Sequence, residues 1–332
     1  MLGAIRKKEK IIKNQYWDKK TQPFITVITP VYNRRSTLQR AIDSVERQTF
    51  KNIEYIIIDD GSTESIDDIV EKFMESTSLP VLFVKKTNGG VHTARNVGYR
   101  YGRGELVVCI DSDDELMPKA CDVFYKVWIS IPKNRRNKYW QMKARLVDSC
   151  GGEVSVSFPD GINDLPKEQA RKYFSLAKGD QIGCRVLGIM KKNLFPEPEG
   201  VTFVTENVRW LPLENRYSSW AINEAVSIVH RENGDGLNHL SYKSKKRNKQ
   251  DLRNSFWNLM YQLNNDNEFS LTFFRRVKFV FKYCVIKHLL IKMSDRMFLQ
   301  NYNLSGFFNH FWEVLFWAPS YLLSVAWRVK NK

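Results

Sequence analysis

The chain has little cysteine and none in the spacings that mark cysteine chemistry. Its five cysteines, an odd number, are spread widely through 332 residues and form neither a CxxC pair nor a Cys/His cluster of zinc-site spacing. This excludes a disulfide framework or a zinc finger as the basis of the fold. The sequence therefore predicts reduced thiols in a cytosolic compartment.

Two further signatures are missing. Neither of the phosphate-binding motifs GxxxxGK[ST] and GxGxxG occurs, and the segment GYRYGRG at 98–104 matches neither of them. The first 20 residues are basic but contain no apolar segment of the kind that secretory leader peptides carry, so we expect no secretory signal.

Acidic residues are scarce at both ends of the chain. Residues 1–20 carry a net charge of +5 and residues 240–332 carry +11, which together equal the +16 of the whole chain. Residues 21–239 hold 29 basic and 29 acidic side chains and are neutral. The middle is typical of an ordinary globular domain, whereas the ends predict surfaces that meet an anionic partner.

Short apolar segments alternate with helical spacing over the first 120 residues. The predicted strands are 24–30, 53–59, 81–84 and 105–111. Between the first two, apolar residues recur at helical spacing from position 38 to position 45, with Ser36 or Thr37 as the expected N-cap. This alternation predicts an α/β fold with a mostly parallel sheet and helices on both faces.

Candidate site residues lie at the ends of three of these strands. They are Pro30, Tyr32 and Asn33 after the first strand, Asp59 and Asp60 after the second, and Asp111, Asp113 and Asp114 after the fourth. Ligands of parallel sheets bind beyond the carboxyl ends of the strands, so these loops should converge on one rim. Acids that merely meet solvent are the alternative, but glycine or serine would end these strands at less cost.

The acid cluster predicts a metal site. Neighbouring carboxylates are most easily kept ionised by a cation, and oxygen ligands suit Mg²⁺ or Mn²⁺. Such sites often use one or two carboxylates, with substrate phosphates and water completing the coordination shell. Asp-Ser-Asp-Asp at 111–114 therefore fits a metal that bridges to a diphosphate.

Four segments of the chain resemble the family 2 glycosyltransferases of the GT-A fold. They are TPVYNRRSTLQRAIDSVERQTF, YIIIDDGSTES, NGGVHTARNVGYRYGRGE and IDSDDELMP, in the order and spacing of that family. The resemblance is strong over residues 24–120, weaker to about 240, and absent from the tail. It implies a mostly parallel GT-A sheet that binds a nucleotide sugar, usually a UDP-sugar.

The resemblance also implies roles for individual residues. Pro30 and Tyr32 would flank the nucleotide base, and Asn33 would lie beside them. Asp60 would accept a hydrogen bond from uracil, and Arg95 would contact base or phosphate. Asp111 would lie near the ribose, and Asp113, with Asp114, would bind the metal of the DXD motif. The chemistry agrees, because the Tyr32 ring can stack on a base and a guanidinium suits a phosphate.

The position of the general base departs from the family pattern. Relatives supply an aspartate from a Thr-Glu-Asp segment, but residues 205–207 here are Thr-Glu-Asn. The amide of Asn207 cannot take a proton, so Glu206 becomes the candidate base. Glu199 and Glu214 are further candidates, and Glu206 acting only as a helix cap is the structural alternative.

Two more groups in the second half are candidates. His230 and Arg231 stand where the family often closes over the diphosphate, so they would approach the phosphates or the metal, although a lone histidine is often structural. Trp210 and Trp220 would form the floor of a sugar site or, alternatively, pack in the core.

The tail combines apolar and basic residues. Residues 272–299 form a nearly continuous apolar helix with interspersed lysine and arginine, and residues 306–332 follow with many aromatics. In the second segment the polar residues Asn309, His310, Glu313, Ser320 and Ser324 fall on one side of a helical wheel. An in-plane interfacial helix on an anionic membrane is the favoured interpretation. A helical cap and a spanning or re-entrant segment are the alternatives.

These features define one hypothesis. A basic arm (1–20) would precede a GT-A catalytic domain (21–240, with nucleotide-sugar half 21–120 and acceptor half 121–240) and a helical membrane-associating tail (241–332). The protein would be a metal-dependent inverting transferase on the cytoplasmic face of a bacterial membrane, using a UDP-sugar and a lipid-linked or cell-surface glycan precursor. The alternatives are a catalytically impaired scaffold at the membrane and a basic nucleic-acid-binding protein. The second is disfavoured because no nucleic-acid motif occurs, and the oligomeric state is left open.

Overall fold

The computed structural model of the chain describes residues 9–19, 22–155, 157–158, 161, 163–169, 179–230 and 248–330. The chain divides into two compact units, Met1–Phe195 with Arg216–Arg231 and Pro196–Asn215 with Glu232–Lys332. The predicted boundary at residue 240 lies outside the described residues. The domain limits expected from the sequence therefore stay a prediction.

The strands of the first unit form one sheet. In chain order they are β1 (Lys10–Lys13), β2 (Ile25–Val31), β3 (Ile53–Asp59), β4 (Val81–Lys85), β5 (Leu106–Cys109), β6 (Glu115–Leu116), β7 (Tyr139–Asp148), β8 (Asp164–Leu165), β9 (Ile182–Val186) and β10 (Ser218–Val229). Their order across the sheet is β1-β4-β3-β2-β5-β9-β7-β10-β6, and β8 pairs with β10.

The part of the sheet that positions the site is parallel. Strands β4, β3, β2 and β5 all run in the same direction, while β9 is antiparallel to both β5 and β7. These four strands are the ones that the apolar segments predict, and every residue of β2 and β3 is buried. The expected α/β fold is confirmed, and the carboxyl ends of β2, β3 and β5 lie side by side at one rim.

Strand β1 was not predicted from the sequence. Its four residues pair antiparallel with β4 along the edge of the sheet. Just beyond it, Trp17 is buried beneath the guanidinium of Arg103, which lies 4.2 Å from the centroid of the Trp17 ring. The same guanidinium donates a hydrogen bond of 2.6 Å to the Trp17 carbonyl. The segment KIIK is too short to show a strand period, so only its partner strand identifies it.

Helices of the first unit cover the sheet. They are α1 (Arg35–Glu46), α2 (Asp67–Ser76), α3 (Val91–Tyr101), α4 (Ala120–Ser130) and α5 (Leu187–Lys192), with a 3-10 helix at Lys133–Lys138. The expected N-cap of α1 at Ser36 or Thr37 is wrong, because the helix already begins at Arg35. Asn33, with φ of 52°, turns the chain into the helix two residues earlier than the pattern suggests.

The second unit is helical within its described residues. Its helices are α6 (Asn207–Glu214), α7 (Lys249–Asn264), α8 (Asp266–Phe269), α9 (Phe273–Lys292), α10 (Arg296–Gln300) and α11 (Phe307–Lys330). Later residues of α9 contact later residues of α11, from Lys287 with Glu313 to Lys292 with Ser324. The two helices therefore lie side by side and run in the same direction. In the described part of the chain, no helix combines the length and apolar character needed to cross a bilayer.

Candidate functional site

The loops that follow β2 and β3 are joined by the side chain of Asn33. Its Oδ1 accepts hydrogen bonds from the backbone N–H of Thr63 at 2.8 Å and from the Thr63 hydroxyl at 3.0 Å. Its own N–H donates to Ser62 Oγ at 3.1 Å. Beside it Tyr32 exposes its ring, whereas Pro30 is buried within β2 in register with Ile58. Of these candidates, Tyr32 is therefore the one free to stack on a ligand.

Asp60 lies buried at the end of β3 and is held from three directions. Its Oδ1 accepts from Lys86 Nζ and from the N–H of Gly89 at 3.1 Å, while Oδ2 accepts from the N–H of Gly90 at 2.7 Å. Lys86 Nζ also donates to the Thr93 hydroxyl at 2.8 Å. A carboxylate offers about four acceptor sites, so these bonds leave Asp60 able to accept one more donor.

Lys86 was missed by the sequence argument. It is the second lysine of a pair at the end of β4, and such pairs are usually solvated, as Lys85 partly is. Only the fold shows that Lys86 points inward to Asp60. The neighbouring turn needs glycine, because Gly61 has φ of +76° and a Cβ there would lie 2.7 Å from the N atom of Asn88.

Arg95 and His92 project from the first turns of α3. Arg95 Nη2 lies 3.2 Å from Asp111 Oδ1, which links the helix to the acid cluster. His92 is buried, and among the described residues neither of its ring nitrogens has a hydrogen-bond partner. Burial, and then the charges of Lys86 and Arg95, lower the pKa of His92 to about 4. The imidazole is therefore neutral near two cations.

The acid cluster after β5 is crowded with negative charge. Burial, and then the charge of Asp111, raise the pKa of Asp113, while burial, Asp111 and Asp113 raise the pKa of Asp114 to about 7. Arginine side chains offset part of this charge: Arg34 Nε lies 3.6 Å from Asp113 Oδ2, and Arg40 donates to the Asp113 carbonyl at 2.6 Å. A bound divalent cation would lower both pKa values and stabilise the ionised cluster.

The donor set fits a metal only in part. Within the described ranges, no group of three or more His, Cys, Asp and Glu side chains could hold an ion by itself. Asp113 and Asp114 would thus need oxygens of a ligand or water to complete a shell. Mg²⁺-type ions are often bound in that way, by one or two carboxylates together with substrate phosphates.

His230 reaches the cluster mainly through its backbone. Its N–H donates to Asp114 Oδ1 at 3.0 Å, while its ring Nε2 lies 2.8 Å from Glu115 Oε1. Glu115 is also paired with Arg47 Nη2 at 3.0 Å. The ring is thus engaged with Glu115, and its expected role at the phosphates or metal stays a prediction. Arg231, the other residue expected there, lies outside the described residues.

The candidate base lies in the second unit. Glu206 immediately precedes α6 and is half-buried, and Asn207 is the first residue of that helix. Glu206 stands at the N-cap position of α6, where, within the described residues, its side chain makes no capping hydrogen bond, and its role as base or as cap stays a prediction. Thr205 is held by Asn258 of α7, whose Oδ1 accepts from its N–H at 2.9 Å and from its hydroxyl at 3.1 Å.

The other candidates of the second half differ in exposure. Glu214 is buried, whereas Glu199 is exposed and its carbonyl accepts a hydrogen bond from the Tyr302 hydroxyl at 2.9 Å. Trp220 lies in β10, where its ring centroid is 5.5 Å from that of Tyr139. This contact agrees with the packing alternative for Trp220.

Comparison with known proteins gives one family. The model of glycosyl transferase family 2 matches residues 26–134. An uncharacterised glycosyltransferase of Haemophilus influenzae is 36% identical over 210 residues, which cover 61% of this chain and 67% of that protein. Glycosyltransferase GlyA of Streptococcus pneumoniae is 38% identical over 102 residues, or 31% of this chain. The chain covers 14% of GlyA and 34% of GlyG from the same organism, so it matches only part of these relatives.

Solved structures show the same fold. Residues 1–349 of TarS from S. aureus, crystallised with UDP-GlcNAc, superpose with a TM-score of 0.53 at 19% identity, covering 79% of this chain and 72% of that one. This likeness confirms the GT-A fold that the resemblance implies.

Proposed function

Since the chain belongs to glycosyl transferase family 2, we propose that it transfers one sugar from a UDP-sugar to a lipid-linked or cell-surface glycan precursor, with inversion of the anomeric carbon. The observation that supports this most is the arrangement of the rim. A buried acceptor, Asp60, follows β3 and a cluster of acids at 111–114 follows β5, the two parallel strands that flank β2. A nucleotide diphosphate needs both kinds of group.

The nucleotide would lie between the loops that follow β2 and β3. The exposed ring of Tyr32 would stack on the base, with Pro30 and Asn33 shaping the loop beneath it. Asp60 would use its remaining acceptor site for the imide N–H of uracil. Arg95, already bonded to Asp111, would contact base or phosphate. The UDP-GlcNAc bound by TarS supports a uridine donor on this fold.

Mn²⁺ or Mg²⁺ would be held by Asp113 and Asp114 together with oxygens of the diphosphate. When bound, the ion would neutralise the charge that develops on the leaving diphosphate. The pKa values of both carboxyls are raised by burial and then by neighbouring negative charge, which supports this assignment because a bound cation would stabilise the ionised forms. Arg34 and Arg40 would contribute further positive potential to the same place.

Glu206 would take the proton of the acceptor hydroxyl. Asn207, at the family's aspartate position, has no basic atom and would instead hold or orient the acceptor. Glu199 and Glu214 are the alternative bases, and His230 and Arg231 would approach the diphosphate. The basic, aromatic tail would keep the protein at the cytoplasmic face of a bacterial membrane, where lipid-linked acceptors are found.

A catalytically impaired scaffold is the second candidate, and Asn207 is the observation that favours it. The test is a panel of UDP-sugars, with and without acceptor glycolipids, assayed for UDP release in Mn²⁺. We expect one donor to give metal-dependent release. A scaffold would bind UDP without releasing it from any donor, and absence of both binding and release would overturn the proposal.

A further inference from the structure

Helix α11 is amphipathic in the reverse sense to a surface helix in water. Asn309, Ser320 and Ser324 are fully buried, and the Asn309 amide donates to the Leu263 carbonyl at 3.2 Å. Glu313 is largely buried and accepts from Lys287 Nζ at 2.6 Å. The polar side of the helix thus faces its neighbours in the bundle.

The opposite side of α11 exposes apolar residues. Phe311, Val314 and Leu315 are all exposed, with Val314 at 78%, and they lie on the side of the helix away from the buried polar residues. A shallow, open depression of ≈ 340 Å³ lies along Phe311, Val314, Leu315 and His310. Water-facing sides of helices normally carry the polar residues, so this exposed side is suited to an apolar surrounding.

Helix α9 extends the same surface. The ring centroid of Phe273 lies 6.1 Å from that of Trp312 and 5.6 Å from that of Phe274, whose side chain is 83% exposed. We call Phe273, Phe274, Phe311, Val314 and Leu315 the aromatic patch. A contiguous exposed patch of this kind marks an interaction site rather than scattered surface apolar residues.

Positive charge borders the aromatic patch. Arg275 and Lys278 are exposed on the turn of α9 that follows Phe274. Nearby acids are occupied by ion pairs: Glu313 of α11 with Lys287, Asp266 of α8 with Arg276, and Asp295, just before α10, with Arg253. The surface beside the patch is therefore cationic, and it complements an anionic partner.

We propose that the aromatic patch docks onto an anionic lipid surface, with α9 and α11 lying along the interface and Arg275 and Lys278 at the headgroups. This rests on the membrane association proposed above and adds the face that carries it. A second copy of the chain is the weaker occupant, because pairing the patch with itself would bring these cations together.

The test is sedimentation of the full-length protein with phosphatidylcholine vesicles, with and without phosphatidylglycerol. We expect tighter binding to the anionic vesicles. The double variant Phe274→Ser, Phe311→Ser should weaken binding about tenfold or more, given the apolar area lost. Lys278→Glu should weaken binding to anionic vesicles about fivefold or more and change neutral binding little.

Matched controls are Ile129→Ser and Lys72→Glu, exposed residues of the first unit, which should leave binding unchanged. Since every substituted side chain is exposed, thermal unfolding should stay near wild type. The proposal would be overturned if the double variant bound vesicles as tightly as wild type, or if wild type did not bind vesicles at all. It would also be overturned if the wild type and the other variants were dimers and the double variant a monomer. UDP binding by the same samples tests the proposed donor site separately, because it involves none of these residues.

Discussion

At the scale of single residues, the contact between Lys86 and Asp60 is the most consequential one at the rim. Both groups are buried, and the ammonium also donates to the Thr93 hydroxyl. Removing one partner of a buried pair leaves an uncompensated charge, which costs about 3–5 kcal/mol. Asp60 would also lose the bond that fixes its orientation toward a nucleotide base.

Lys86→Met should therefore lower the free energy of unfolding by about 3–5 kcal/mol and weaken UDP binding. Urea unfolding and UDP titration measure the two effects. The control is Lys85→Met, because Lys85 makes a partly exposed pair with Asp67 that is worth about 1 kcal/mol or less. Equal effects of the two substitutions would show that Lys86 has no special role.

His92 gives stability a dependence on pH. Its pKa is lowered to about 4 in the folded protein from the usual 6.5, so folding favours the neutral ring. The stability that this contributes is complete above pH 6.5 and is lost as the pH falls toward 4, by up to about 3 kcal/mol. His92→Leu should lose less stability than wild type between pH 7.5 and 4.5 in urea unfolding. Equal losses of unfolding free energy in His92→Leu and wild type would contradict the assignment of this pH dependence to His92. The variant His310→Gln, at an exposed position, controls for the removal of a histidine.

Glu206 carries the proposed proton transfer. Glu206→Gln keeps the shape of the side chain and removes its basicity, so kcat should fall by about 100-fold or more while UDP affinity stays near wild type. Steady-state kinetics with a responsive donor and acceptor measure this. An unchanged kcat would move the role to Glu199 or Glu214, which the corresponding glutamine variants would then identify.

At the scale of elements, β1 and the turn after it add an edge to the sheet. The Trp17 ring packs against the guanidinium of Arg103, and Arg103 Nε donates a hydrogen bond of 2.7 Å to the buried Glu54. Trp17→Ala should therefore cost about 3–5 kcal/mol, as buried large-to-small substitutions do. Ile11→Ala, at an exposed position of β1, should cost far less. Chemical denaturation compares the two, and equal losses would mean that the segment is held by its backbone pairing alone.

The parallel strands could be predicted because they are continuous apolar segments with turn residues behind them. The acids at 59–60 and 111–114 stand out because carboxylates beyond buried strands are costly unless they bind something, whereas the segment 88–96 stands out only through the family resemblance. The edge strand β1, the inward direction of Lys86 and the burial of the His92 ring could not be predicted. Each depends on contacts between segments distant in sequence, which no local period records.

At the scale of the whole molecule, charge and apolar surface are divided between parts of the chain. Residues 21–239 are neutral in sum, while residues 240–332 carry +11. The tail's polar stripe was expected from the helical wheel, but its inward direction was not. A wheel shows that two faces differ and cannot show which one meets the neighbouring helix.

The central claim is that the rim binds a uridine diphosphate through a metal held by Asp113 and Asp114. Isothermal titration of UDP tests it most directly, in Mn²⁺ and in EDTA, with wild type and with Asp113→Ala. The account predicts that EDTA and the substitution each weaken UDP binding by about tenfold or more, since each removes the cation's interaction with the diphosphate. It also predicts that Mn²⁺ no longer strengthens binding by the variant. UDP affinity that is equal in Mn²⁺ and EDTA, and equal in the two proteins, would contradict it.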